Sequence, residues 1–443
     1  MNMIDIRGHA LSGATPLSLP HYETAVRQLN LFANDPVASV DQAIAEAPDF
    51  VMAHALRAYL HLLGTEPAGI PVAQAAFETA SKLPATDQEQ AHLTAVSYLI
   101  NGRWKMAARA LEDIAIRYPR DLLAIQAGHQ TDFFRGDSRM LRDRIARAMP
   151  AWSHDVPGYH TMLGMHAFGL EEMGDYAAAE KSGRQAVEIE ARDGWAQHAV
   201  AHVMEMQGRQ KEGIAWMEGN TDGWSRENFL AIHNWWHLAL YHLELGDVDK
   251  VLALFDGPIY GSSSGLILEA IDASAMLWRL HLRGIDVGSR WDIVADRWEP
   301  VADAGNYAFN DVHAMMAFVG AGRRGSAQRV IEAQNAAMMT ESADNAAFTR
   351  DVGHPVALAI QNFGDGKYAE TVRQLRGVRN IAHRFGGSHA QRDVLDQTMI
   401  EAAFRSGQHA LAKALSAERA LAKPTSPLAR LFVKRAAEMK QAA

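Results

Sequence analysis

Cysteine is absent from this sequence. That excludes a disulfide framework, a thiol nucleophile and a thiolate zinc site. No apolar run approaches the roughly 18 residues needed to span a bilayer. The opening MNMIDIRGHALSG has no basic stretch ahead of an apolar core, so it does not read as a secretory signal. Positive charge is in short supply: the formal net charge is −9 and no basic stripe stands out, which argues against nucleic acid as the main partner. Alternating runs of Val, Ile and Thr are few, so little of the chain reads as strand. The expectation is a cytoplasmic all-α protein with no membrane partner.

Glycine supplies the order. Gly64, Gly102, Gly136, Gly174, Gly208, Gly246, Gly284, Gly322, Gly366 and Gly407 follow one another at 38, 34, 38, 34, 38, 38, 38, 44 and 41 residues. Each follows a mostly apolar helical stretch, and most precede a second one. A glycine there ends one helix in a left-handed conformation and lets the next fold back. Helix pairs at this period predict a tetratricopeptide-like α-solenoid, a right-handed superhelix of about eleven helix pairs. The best repeat runs from Gly102 to Pro119, with Ala107 and Leu111 at packing positions. Tyr176, Ala179 and Ala186 repeat the pattern, and SGQHALAKALSAERAL from Ser406 to Leu421 repeats it again. The expected organisation is N-terminal capping helices over 1–48, one continuous superhelix over 49–425 and a C-terminal capping helix over 426–443. A soft division falls at the Gly- and Ser-rich 255–266. Longer connections fall before Gly174 and around 255–266, 285–305 and 336–352.

Twenty histidines are the second signal, many of them in the first helix of a pair, which in such superhelices lines the concave wall. In DGWAQHAVAHVMEMQG, His198, His202 and Glu205 are spaced i, i+4, i+7 and share one helical face. His233 and His237 repeat the i, i+4 spacing in the next pair, while His242 points elsewhere. Asp272, then Asn310, Asp311 and His313, then His354, and finally His389, Arg392 and Asp393 follow on later first helices. His202, His237 and Asp272 stand 35 residues apart in turn; His313 and His354 follow at 41 each, and His389 at 35. Comparable places on successive helices thus offer titratable groups.

Two imidazoles one turn apart can reach one ion, so His198, His202 and Glu205 are candidate ligands for a divalent metal. No HExxH or other metalloprotease pattern accompanies them, and hydrogen-bonded packing is the plainer role for any single histidine. As a group, buried imidazoles and carboxylates cost stability unless they are paired or ligand-bound, and such groups concentrate at functional sites. The candidate catalytic residues are His202, His237, Asp272, His313 and His389. The candidate substrate-binding residues are His198, His233, Trp236, Asn310, Arg392 and Asp393. In GGSHAQRD, Gly386 and Gly387 allow a bend and Ser388 can cap the next helix. Arg392 could clamp a carboxylate or phosphate, or pair with Asp393 to tie two repeats. Eight tryptophans crowd residues 195–298, most of them expected in the core. Trp235 or Trp236, and Phe309 or Tyr307, could wall a pocket.

The segments His198–Met217, His233–Asp247, Phe309–Arg323 and Gly386–Asp393, with GYHTMLGMHAFGLEEMGDYAAAE from Gly158, resemble the tetratricopeptide repeat protein 38 family over about residues 20–425. The resemblance implies a soluble α-helical repeat protein and assigns no reaction or catalytic residues. Two functions follow from the residues. One is a His/Asp-lined pocket for an anionic small molecule, with acid–base or metal-assisted chemistry. The other is a non-catalytic scaffold whose groove binds a peptide or protein, the commoner use of such repeats.

Overall fold

The computed structural model describes residues 3–340 and 342–439. Helices dominate it. The sole paired strands among the described residues, Met3–Ile4 and Ala10–Leu11, form an antiparallel hairpin with Met3 opposite Leu11. Two helices, Ser18–Leu31 and Pro36–Glu46, complete the region expected to cap the N-terminus. The expected C-terminal capping helix runs Pro427–Glu438; residues 440–443 of that span lie outside the described residues.

Nine of the ten period-setting glycines, Gly102 through Gly407, have positive φ between 65° and 83°. The residue after each donates its N–H five residues back: Arg103 to Tyr98 O at 2.8 Å, Arg209 to Met204 O at 2.8 Å and Gln408 to Ala403 O at 3.1 Å. This is the Schellman arrangement, which satisfies carbonyls that the helix end leaves over. Gly64 departs from the expectation: its neighbour Thr65 takes the left-handed conformation, φ 56°.

First and second helices of the pairs differ in burial. Leu122–Phe134 and Ala308–Gly320 each bury 11 of 13 residues. Their partners are amphipathic: Trp104–Arg117 buries 5 of 14 and Tyr176–Ile189 buries 3 of 14. A helix buried all round needs neighbours on every side. Polar groups on the first helices are therefore packed in protein.

The chain divides into two compact units. One comprises Met1–Val200, Asn220–Asn234 and Ser342–Asp344. The other comprises Ala201–Gly219, Trp235–Glu341 and Asn345–Ala443. The dividing line passes inside helices Gly194–Met206 and Ala231–Leu245. Segment 255–266 lies within the second unit and holds a π-helical turn at Phe255–Ile259. In the first unit Ile125, Ile145, Met165, Phe168 and Trp195 form a common core. A buried ion pair, Arg144 Nε to Asp132 at 2.8 Å, lies in the same unit. In the second unit helix Ile267–Leu282 packs on Ala308–Gly320, which packs on His354–Gly364. Ile267–Leu282 also packs against His389–Arg405, a helix far along the chain. Trp278 helps join these two, its indole N–H donating to Thr398 at 3.0 Å.

Candidate functional site

Helical spacing sets the histidine pairs. His198 and His202 stand one turn apart on Gly194–Met206, and His233 and His237 one turn apart on Ala231–Leu245. In the first unit His198 Nε2 and His233 Nε2 are 3.1 Å apart. At that distance either one ring donates to the other or both lone pairs face a common cation. His198 is held between Phe168 and Trp195, with ring centroids 5.4 and 4.9 Å away.

In the second unit the rings of His202 and His237 lie 4.4 Å apart between centroids, both fully buried. Each presents a ring nitrogen within 4.8 Å of the other's. His237 Nδ1 donates to Glu205 Oε2 at 3.1 Å. An ionised carboxylate only accepts, so the proton sits on Nδ1 and the Nε2 lone pair is set to bind. Glu205 therefore belongs with His237, the partner across, and orients it. The same-face trio His198, His202 and Glu205 expected from sequence is divided among these contacts.

A buried arginine lies in the same unit. Arg279, on Ile267–Leu282, is 2% exposed. Its guanidinium lies over the Trp236 indole, 5.1 Å from the ring centroid. It donates to Ala275 O at 3.1 Å and to Ala390 O at 2.8 Å. Burial pulls its pKa down, while the carboxylates of Asp393, Glu205 and Asp272 favour the charged form. Asp272, expected to be catalytic, is buried on the same helix.

His313 is fixed by a second device. Its Nδ1 donates to Phe309 O at 2.7 Å, and the Phe309 ring lies tilted against its own with centroids 4.5 Å apart. Gly387 makes room for that ring, since a Cβ there would sit 2.5 Å from Phe309. Burial lowers the His313 pKa to about 4, against the Phe309 hydrogen bond and with the charge of Arg279 adding to the shift. The imidazole is thus neutral at pH 7, with its lone pair on a buried Nε2 that has no partner.

The GGSHAQRD segment forms as expected in part. Gly386 and Gly387 have φ of 90° and 77°, and Ser388 with Gln391 makes a full capping box at the start of His389–Arg405. His389 is the first residue of that helix and is partly buried. Arg392 turns back and donates to the Gly387 carbonyl. Asp393 pairs with Arg419, which bonds it at 2.8 and 3.0 Å, and with Lys423 at 3.8 Å. Those pairs hold its pKa well below the usual carboxylate range, although burial pushes the other way. Asn310 is buried on the His313 helix.

Arg279 therefore covers Trp236, and its charge is felt by or feels Glu205, Asp272, His313 and Asp393, all in the second unit. Sequence reasoning misses Arg279, Arg283 and Arg419. The available signal is Arg279 and Arg283 at i, i+4 inside the apolar run AMLWRLHLRG. No helix among the described residues is long and apolar enough to cross a membrane. A scan of the chain against models of known protein families finds no match.

Proposed function

We propose that the protein is a tetratricopeptide-like α-solenoid of the tetratricopeptide repeat protein 38 family, located in the cytoplasm, that binds a divalent metal and an anionic small molecule in its second unit. The observation that carries this reading is the buried His202–His237 pair with Glu205 on His237 Nδ1. A histidine that donates its remote N–H to a carboxylate is the usual form of a metal ligand. His202 and His237 would hold the ion through ring nitrogens. When bound, it supplies a Lewis acid. His313 is a candidate base, with a neutral ring and a fixed tautomer. Arg279 and its neighbours would favour an anionic ligand.

Burial of the first helices supports this reading over a peptide-binding scaffold. A peptide groove needs the inner stripe of those helices open to solvent, and Ala308–Gly320 is covered on nearly every side. The test is metal titration by calorimetry on the full chain, with Zn2+, Mn2+ and Co2+. Wild type should bind one ion that His237→Ala and His202→Ala lose, and Glu205→Gln should weaken affinity by roughly 10–100-fold. Equal binding by all four proteins would overturn the metal assignment.

A further inference from the structure

Two cavities in the second unit share a rim. The smaller, about 30 Å3, is lined by Arg279, Arg283, Arg419 and Lys423 with Glu205 and Asp393. That volume holds a few atoms, the scale of a single oxyanion head. The larger, about 280 Å3, is lined by Leu282, Leu428, Leu431 and Phe432 together with Glu401, Arg405 and Arg435. Arg283 and Gln397 belong to both.

The charges do not cancel. Six cations line the two cavities: Arg279, Arg283, Arg405, Arg419, Lys423 and Arg435. Four carboxylates accompany them, Glu205, Glu244, Asp393 and Glu401. The excess of two positive charges stands in a chain whose formal net charge is −9. The acids are also committed. Asp393 holds Arg419 in a two-point pair. Glu401 bonds Arg405 at 2.8 Å and Arg435 at 2.7 Å. Glu244 accepts from Ser426 and from the Leu428 N–H. Glu205 accepts from His237. Among the described residues Arg283 has only a backbone acceptor, Leu243 O at 2.5 Å, and its buried Nε has no partner there. Arg419 Nε is likewise buried without one. Burial and the neighbouring arginines lower the Arg283 pKa to about 10, with Glu244 opposing, so the group keeps its charge at pH 7. A cation short of acceptors, shared between a small polar cavity and a larger one with an apolar side-chain group, is matched by a ligand with an anionic head and a short hydrocarbon body.

We infer that the second unit binds a small amphipathic acid, its oxyanion held at Arg283 and Arg419 and its apolar body lying against Leu428, Leu431 and Phe432. This deepens the proposed function by naming its ligand class, and it stands without the metal. The test is calorimetry on the metal-free full chain with two probes, octanoate and inorganic phosphate. Octanoate should bind once per chain and more tightly than phosphate. Arg283→Gln should weaken octanoate at least tenfold, with Arg283→Lys intermediate. Leu431 is 49% exposed, so Leu431→Asn should fold; it should weaken octanoate at least tenfold and leave phosphate unchanged. His202→Ala, which leaves the Glu205–His237 bond in place, should bind octanoate normally, which separates this site from the metal site. Absence of saturable octanoate binding, an Arg283→Gln variant equal to wild type, or phosphate binding as tight as octanoate would each overturn the assignment.

Discussion

Asp311 is a carboxyl that folding makes harder to ionise, and replacing it with asparagine measures by how much. It lies in the first turn of Ala308–Gly320, 7% exposed. Burial raises its pKa to about 7, with the smaller influence of the Gln334 amide opposing. The helix N-terminus offers an anion typically 0.3–1 kcal/mol, too little to reverse that. A folded-state pKa above the unfolded value of 3.8 means that the native state holds a proton the unfolded chain has released. Stability from this group is thus full below pH 3.8 and falls as pH rises to about 7. At 1.36 kcal/mol per unit the whole penalty is on the order of 4 kcal/mol, of which about 3 kcal/mol accrues between pH 5 and 7. Asparagine keeps the shape and cannot ionise. Urea unfolding of both proteins from pH 5 to 8 should show Asp311→Asn gaining on wild type by ~1.4 kcal/mol per pH unit up to pH 7, then levelling. A stability difference that stays flat across that range would refute a buried, proton-holding carboxyl.

Removing Asp393 should do the reverse of relieving strain. Asp393→Ala leaves Arg419 and Lys423 facing each other without their shared acid, and should cost ~3–5 kcal/mol in urea unfolding at pH 7. Because the native pKa of Asp393 is depressed, that loss should shrink as pH falls through the carboxylate range. Gly213 lies under the Tyr241 ring, where a Cβ would come within 2.3 Å of ring carbon. Gly213→Ala should therefore destabilise by about 1–3 kcal/mol, seen as a lowered melting temperature, even though alanine is the better helix former.

The helices and their period were legible because their turns depend on backbone geometry, which glycine alone records plainly. Gly64 misled only in detail, since Thr65 took the left-handed position. The place of His202 and His237 on successive helices could be read in advance from their 35-residue step. The partner of Asp393 could not. Arg392 is adjacent in sequence, yet its guanidinium turns to the Gly387 carbonyl, and Arg419 on the next helix takes the carboxylate. Arg279 was hidden for a different reason. Its burial depends on helix His389–Arg405 packing against Ile267–Leu282, a meeting of distant segments that no short-range periodicity encodes. The two-unit division was equally invisible, because its boundary runs through the middle of helices.

A Cβ at Gly174, Gly246, Gly284, Gly322, Gly366 or Gly407 would meet nothing within 4 Å. What these positions demand is tolerance of a handedness that L-residues avoid, a requirement independent of whatever packs nearby. Core residues can be exchanged in compensating sets as such a chain diverges, and the helix-packing pattern blurs with them. A chirality constraint has no compensating partner, so these turns keep the repeat count visible after the packing code has drifted.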